Sequence, residues 1–139
     1  MRTPSYSIEP LFEPLRRLRN SWPQRGWSWD SRVACVSSSF SADLEQKNRV
    51  LALSSMPTEY TSRSIATAPS PVREICERAG GLRSGQYVFL GGAVGRVFAY
   101  GLWWPWGDGM TISLRVGVGG VDESHDLMNQ LRDVFGVQL

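Results

Sequence analysis

Residues 86–118 read QYVFLGGAVGRVFAYGLWWPWGDGMTISLRVGV, and this stretch decides the fold. It holds three apolar runs: Tyr87 to Leu90, Val94 to Trp104 and Met110 to Val118. In the third run Ile112, Leu114, Val116 and Val118 alternate with Thr111, Ser113 and Arg115. Successive side chains on a strand point to opposite faces, so this pattern predicts a strand with one face on a core and the other in water. Gly91-Gly92 and Gly107-Asp108-Gly109 separate the runs, and connections this short favour antiparallel neighbours. The expectation is a three-stranded meander.

Toward the C-terminus, Leu127, Met128, Leu131, Val134 and Phe135 recur at helical spacing, and Gly136 is placed to stop the helix. Asp122 or Ser124 suits its N-cap, and Glu123 and Asp126 suit the positive end of its dipole. Before the meander, Ser70 and Pro71 open a short helix that buries Val72, Ile75, Cys76 and Ala79 and ends at Gly80-Gly81. Arg73, Glu74, Glu77 and Arg78 fall on its wet side at pairing distances. Residues 56–69 form a long, Thr- and Ser-rich surface connection.

Further upstream, Arg32 to Ser39 is expected as a strand carrying Val33, Cys35 and Val36, and Arg49 to Leu53 as a second strand paired with it. The polar Ser41 to Asn48 between them reads as a helical turn or a long hairpin loop. Ser21 to Asp30 reads as a loop in which at least two of Trp22, Trp27 and Trp29 are buried. Ile8, Leu11, Phe12, Leu15, Leu18 and Trp22 form an amphipathic stripe, which Pro14 is expected to split into two pieces. Residues 1–7 are expected as a flexible tail. The predicted fold is a single α+β domain over residues 1–139: a mainly antiparallel five-stranded sheet, ββ plus a βββ meander, packed by N-terminal, short middle and C-terminal helices.

The 139 residues suit one domain with a real core, and 42% hydrophobic with 20% charged residues excludes a disordered chain. A net charge of +2 is too small to name a partner. Lys47 is the only lysine; every other cation is arginine, as base composition or an Arg- and Trp-rich recognition surface would give. Cys35 and Cys76 are too few for a disulfide framework and read as buried apolar groups in a reducing compartment, although one bridge between them remains open. The N-terminus carries no signal-peptide pattern, and no apolar run nears the roughly 18 residues of a membrane span. The expected location is the cytoplasm.

No catalytic or metal-binding motif is present, and no cofactor or metal is expected. His125 is the only histidine, which excludes His-rich metal sites and mechanisms needing two imidazoles. Beside Asp122 or Asp126 it is the one candidate base for a small enzyme; the competing reading is a wet residue in a first helical turn. The serines show no nucleophile elbow, and Gly91-Gly92-Ala93-Val94-Gly95 precedes a strand rather than a helix, so it offers no phosphate loop. What stands out is Trp103, Trp104, Trp106 and Asp108. Alternation sends Trp103 and Trp104 to opposite faces, so both cannot enter one core, and Pro105 marks an edge or the end of a ladder. These four residues are the candidate partner-binding site, since accessible Trp is common in interface hot spots. The competing reading is that the loop folds back over the C-terminal helix and buries all three rings. Arg16, Arg17 and Arg19 form a candidate basic patch that, with the nearby tryptophans, suits single-stranded nucleic acid.

The predicted order of helix, two strands, short helix, three strands and helix resembles the roadblock and dynein light-chain domain family. That resemblance is one of arrangement, and it implies a small non-enzymatic dimer that scaffolds partners or regulates GTPases. The middle helix is short for that family, the connection after Met56 is long, and the tryptophan loop has no counterpart. The leading expectation is a non-enzymatic protein-binding module: a regulatory adaptor, or an inhibitor such as an immunity protein that neutralises a toxin. The alternatives are the roadblock-like dimer, a nucleic-acid binder and an enzyme using His125. A free sheet edge leaves homodimerisation open.

Overall fold

The structure is a computed structural model that describes residues 9–120 and 125–137. In chain order the elements are α1 (Glu9–Ser21), β1 (Ser28–Asp30), β2 (Cys35–Ser41), a single 3-10 turn (Ala42–Leu44), α2 (Glu45–Ser55), β3 (Thr58–Tyr60), a second 3-10 turn (Ile65–Thr67), α3 (Ser70–Arg78), β4 (Tyr87–Val94), β5 (Val97–Pro105), β6 (Thr111–Gly119) and α4 (His125–Phe135). The strands form one antiparallel sheet in the order β1-β2-β6-β5-β4-β3. The chain is therefore α+β, with six strands where five were expected.

The alternating run forms β6, near the middle of the sheet, where Ile112, Leu114, Val116 and Val118 are all buried. The meander is present, but its first turn lies at Gly95-Arg96, where Val94 pairs with Val97 and Gly95 takes φ +62°. Gly91-Gly92 instead sits inside β4 at a register shift between Leu90 and Ala93. The glycines there serve close approach rather than a turn. A Cβ on Gly92 would come within 2.8 Å of the Pro10 carbonyl oxygen, and one on Gly91 within 3.0 Å of Met56 Cγ.

The second strand expected over Arg49–Leu53 is helical. Glu45, Gln46, Lys47, Arg49, Leu51, Ala52 and Leu53 are all good helix formers, and α2 buries Asn48, Ala52 and Ser55 while Val50 faces solvent. The partner of β2 is instead β1, formed by the end of the tryptophan loop. The long connection likewise contains β3, which pairs with β4. Arg49 grips Glu59 at 2.7 Å and lies 4.4 Å from the Tyr87 ring centroid, tying α2 to both strands.

Pro14 does not break α1, which runs unbroken from Glu9 to Ser21 with Leu11, Phe12, Leu15 and Leu18 buried. The carbonyl that Pro14 cannot bond is that of Pro10, four residues back, and it faces the space left by Gly92. α1, α2 and α4 cover one face of the sheet. Its core joins Trp22, Trp27, Phe40, Phe89, Trp103 and Phe135 through ring centroids 4.5–5.9 Å apart. Trp22 and Trp27 are buried as expected, and Trp29 is half-buried beneath Arg132. α4 ends in a Schellman turn, with Val137 N–H donating to Arg132 and Gly136 at φ +69°.

The other face carries a smaller core, in which α3 sets Val72, Ile75 and Cys76 on Cys35, Val88, Tyr100 and Leu102. Cys35 and Cys76 are free and buried. Burial pushes the Cys35 thiol up to about 12 and the Cys76 thiol up to about 11, so both are protonated and neither is a ready nucleophile. The residues expected as a flexible tail, 1–7, and the expected capping residues Asp122, Glu123 and Ser124 lie outside the described residues.

Candidate functional site

α3 covers only part of the second sheet face. Beyond it the face continues along β6 and its neighbours as Ser113 and Arg115, with Trp104 paired to Ser113 and Ser37 paired to Arg115. Alternation sorts the tryptophans there. Trp103 enters the helix-covered core and is fully buried, so it belongs to the fold and not to an accessible partner site. The reason is its register: it sits opposite Leu114 on the same face as Phe89 and Val116. Trp104 points the other way and remains half-buried beside α3's core.

Trp106 lies just past the ladder, where its backbone N–H still bonds the Thr111 carbonyl at 2.8 Å. Its indole N–H donates to Ser113 Oγ at 2.8 Å, and Ser113 Oγ meets Ser39 Oγ at 2.7 Å. These bonds lay the ring along the open face, still 51% exposed, with Met110 exposed at the same turn. The loop does not fold back to bury its rings. Asp108 builds the turn: Oδ1 accepts from Met110 N and Thr111 N, and Oδ2 accepts from Thr111 Oγ1. The Met110 amide and its companions hold the Asp108 carboxyl below the usual value. Asp108 is a scaffold for Trp106 and Met110.

Next to Trp104 an open groove of about 350 Å³ is lined by Asp30, Arg32, Arg78, Leu102, Trp104 and Arg115 among others. A second groove of about 240 Å³ shares Arg32, Arg78 and Leu102. The Asp30 carboxylate accepts from Arg115 Nε at 3.0 Å and lies 3.4 Å from Arg32 Nη2. Burial pulls its carboxyl upward, but the bonds from Arg32 and Arg115 outweigh this and hold it below the usual value. Arg78 ends α3 exposed. The pairing with Glu74 expected from helical spacing does not form, and Arg78 has no ion-pair partner among the described residues. The groove is thus lined by three arginines and one carboxylate, which bonds Arg32 and Arg115 but not Arg78. The turn joining β1 to β2 presses against this groove with Ala34 at φ 54°, a left-handed conformation that costs a non-glycine residue about 1–2 kcal/mol.

The expected basic patch on α1 does not assemble. Arg16 pairs with Glu9 and Arg17 with Glu13 at 3.3 Å. Arg19 donates to the Val134 carbonyl at 3.1 Å and so stitches α1 to the C-terminal end of α4. All three lie on the helix-covered side of the sheet, away from the groove. His125 opens α4, and its side chain lies outside the described residues. Among the described residues no group of three His, Cys, Asp or Glu could hold a metal ion, and no helix is long and apolar enough to cross a membrane.

Arg115 was legible in the sequence as a charge on the wet face of a strand; Asp30, Arg32 and Arg78 as its companions were not. Comparison of the chain with family models, with curated proteins and with solved structures finds no match. The roadblock resemblance therefore rests on element order alone, and α2 interrupts that order between the strand pair and β3.

Proposed function

We propose that this chain is a non-enzymatic protein-binding module, a regulatory adaptor or an inhibitor of the immunity-protein kind. Its partner docks on the open part of the second sheet face. The observation that carries this reading is Trp106, half-exposed yet fixed by a hydrogen bond from its indole to Ser113 and beside exposed Met110. A large ring held in one orientation binds with little loss of side-chain freedom, which is why such rings dominate hot spots. The groove arginines supply polar contacts at its flank. Both thiols are protonated and buried, so neither favours a catalytic reading.

The test is capture of proteins from lysate of the source cells by the purified chain, with a nuclease-treated control, repeated with Trp106→Ala and Trp104→Ala. One stoichiometric protein that survives nuclease, and is lost with Trp106→Ala at an unchanged fold, is the expected result. Capture lost on nuclease treatment would replace this reading with nucleic-acid binding. Capture undiminished by both substitutions would place the interface elsewhere.

A further inference from the structure

We infer that the groove between the end of α3 and the turn joining β1 to β2 receives an acidic side chain from the protein partner. This inference rests on the docking reading above and names the chemistry of the contact. Asp30 satisfies only part of the cationic charge around it. Arg115 spends its Nε on Asp30, and its two Nη groups have no partner among the described residues although its side chain is only 18% exposed. A guanidinium that is largely withdrawn from water and half-used is a poor surface ornament and a good receptor for a carboxylate, whose two oxygens match its fork. Arg78 faces the same groove without an ion-pair partner, so two cations have unspent donors there.

The walls strengthen this preference. Leu102 is buried and Trp104 half-buried beside the guanidiniums, and an apolar surround lowers screening. A carboxylate on a protein segment fits better than a nucleic-acid backbone for two reasons. The groove is about 350 Å³, room for a side chain and its neighbours rather than a track. The other arginine cluster, on α1, is spent on Glu9, Glu13 and Val134 and lies on the helix-covered side, so it does not extend the groove's cationic surface. Trp106 and Met110, further along the open face, give such a segment apolar contacts once its acid is seated.

The probe is a short peptide of alternating Glu and Leu, titrated into the ¹⁵N-labelled full chain and followed at the Trp104 indole and the Arg115 Nε–Hε signals. The same peptide with Gln for Glu, and a single-stranded oligodeoxythymidine, are run alongside. The Glu peptide is expected to move both signals, and the Gln peptide to move them far less. Exposed Arg78 can be changed without touching the core. Arg78→Gln is expected to weaken the Glu peptide about fivefold and Arg78→Glu more than tenfold, the range of one partly exposed charge pair. Equal shifts from the Glu and Gln peptides would overturn acid recognition while leaving the docking surface standing. Stronger shifts from the oligonucleotide would overturn both readings. Silence from all three probes would overturn the acidic contact alone, because partner capture by Trp106 is judged separately.

Discussion

Replacing Trp103 by alanine should cost the fold about 3–5 kcal/mol, the usual penalty for truncating a fully buried large aromatic. The ring is fully buried, 5.3 Å from the Phe40 centroid and 5.9 Å from that of Phe89, so little of the hole can be closed by a neighbour. For a chain of 139 residues, each kcal/mol lowers the melting temperature by about 3–5 °C, so the fall should be about 10–20 °C. Trp103→Phe should behave very differently. The indole N–H of Trp103 has no acceptor among the described residues, and such a buried donor costs about 1–3 kcal/mol. Phenylalanine removes that donor while losing part of the ring contact, and the two effects nearly cancel, leaving the variant within about 1 kcal/mol of the parent. Trp106→Ala, by contrast, gives up an exposed ring and one hydrogen bond to Ser113, worth about 1 kcal/mol. Urea denaturation followed by far-ultraviolet circular dichroism measures all three. A Trp103→Ala variant within 1 kcal/mol of the parent, or a Trp103→Phe variant as damaged as the alanine one, would refute the assignment of the two tryptophans to opposite faces.

Three further outcomes follow from the packing and the charges. Asp30 has a folded pKa below its ordinary value, so its contribution is fully present above the unfolded value of about 3.9 and is lost as pH falls through the folded one; the stability gap between the parent and Asp30→Asn should therefore shrink in acid and be flat above about pH 5, as urea midpoints across pH will show. Gly92→Ala should destabilise by about 1–3 kcal/mol, because its Cβ would meet the Pro10 carbonyl, which is backbone held by α1 and cannot swing aside; a neutral result would mean that α1 sits further from β4. Cys35 and Cys76 should react slowly with a thiol reagent near neutral pH in the folded protein and rapidly in urea, since burial raises both thiols to about 12 and about 11. Fast labelling of the folded chain at Cys35 would show that α3 opens readily.

The parts of the fold that were legible are those whose own residues state their environment. Ile112, Leu114, Val116 and Val118 could face a core only as a strand, and the stripes of α1 and α4 could do so only as helices. The misread parts take their state from neighbours. Arg49 to Leu53 is a short apolar run, which periodicity cannot divide between strand and helix, and α2 buries Asn48 and Ser55 along with Ala52, leaving almost no apolar stripe to see. β1 and β3 are three residues each, defined by the strands they pair with rather than by any alternation. Gly91-Gly92 carries the same signal whether it turns a chain or admits another one. At the candidate site, alternation separated Trp103 from Trp104, and Asp108 was a turn former on its spacing alone. The Asp30–Arg115 pair spans 85 residues and exists only because β2 brings β1 and β6 together.

The two ends of the second sheet face differ in a way that tells which end is meant to be covered. Where α3 lies, the strands are shaped for company: Gly117 and Gly119 leave room for the Tyr100 and Phe98 rings, which would stand only 2.6 Å from a Cβ at either glycine. Past Leu102 the same strands change to Ser113, Arg115, Ser37 and Ser39. A strand buried on both faces reads as a nearly continuous apolar run, and β6 does not, even though it lies between β2 and β5 near the middle of the sheet. Within the isolated chain Ser39 is exposed and Ser37 and Arg115 are partly so, while Ser113 is buried where Trp106 bonds it. The arginine groove falls at the boundary, where the layer begun by α3 stops. A partner seated there, with an acid among the arginines and apolar side chains on Trp104, Trp106 and Met110, would continue that layer across the face.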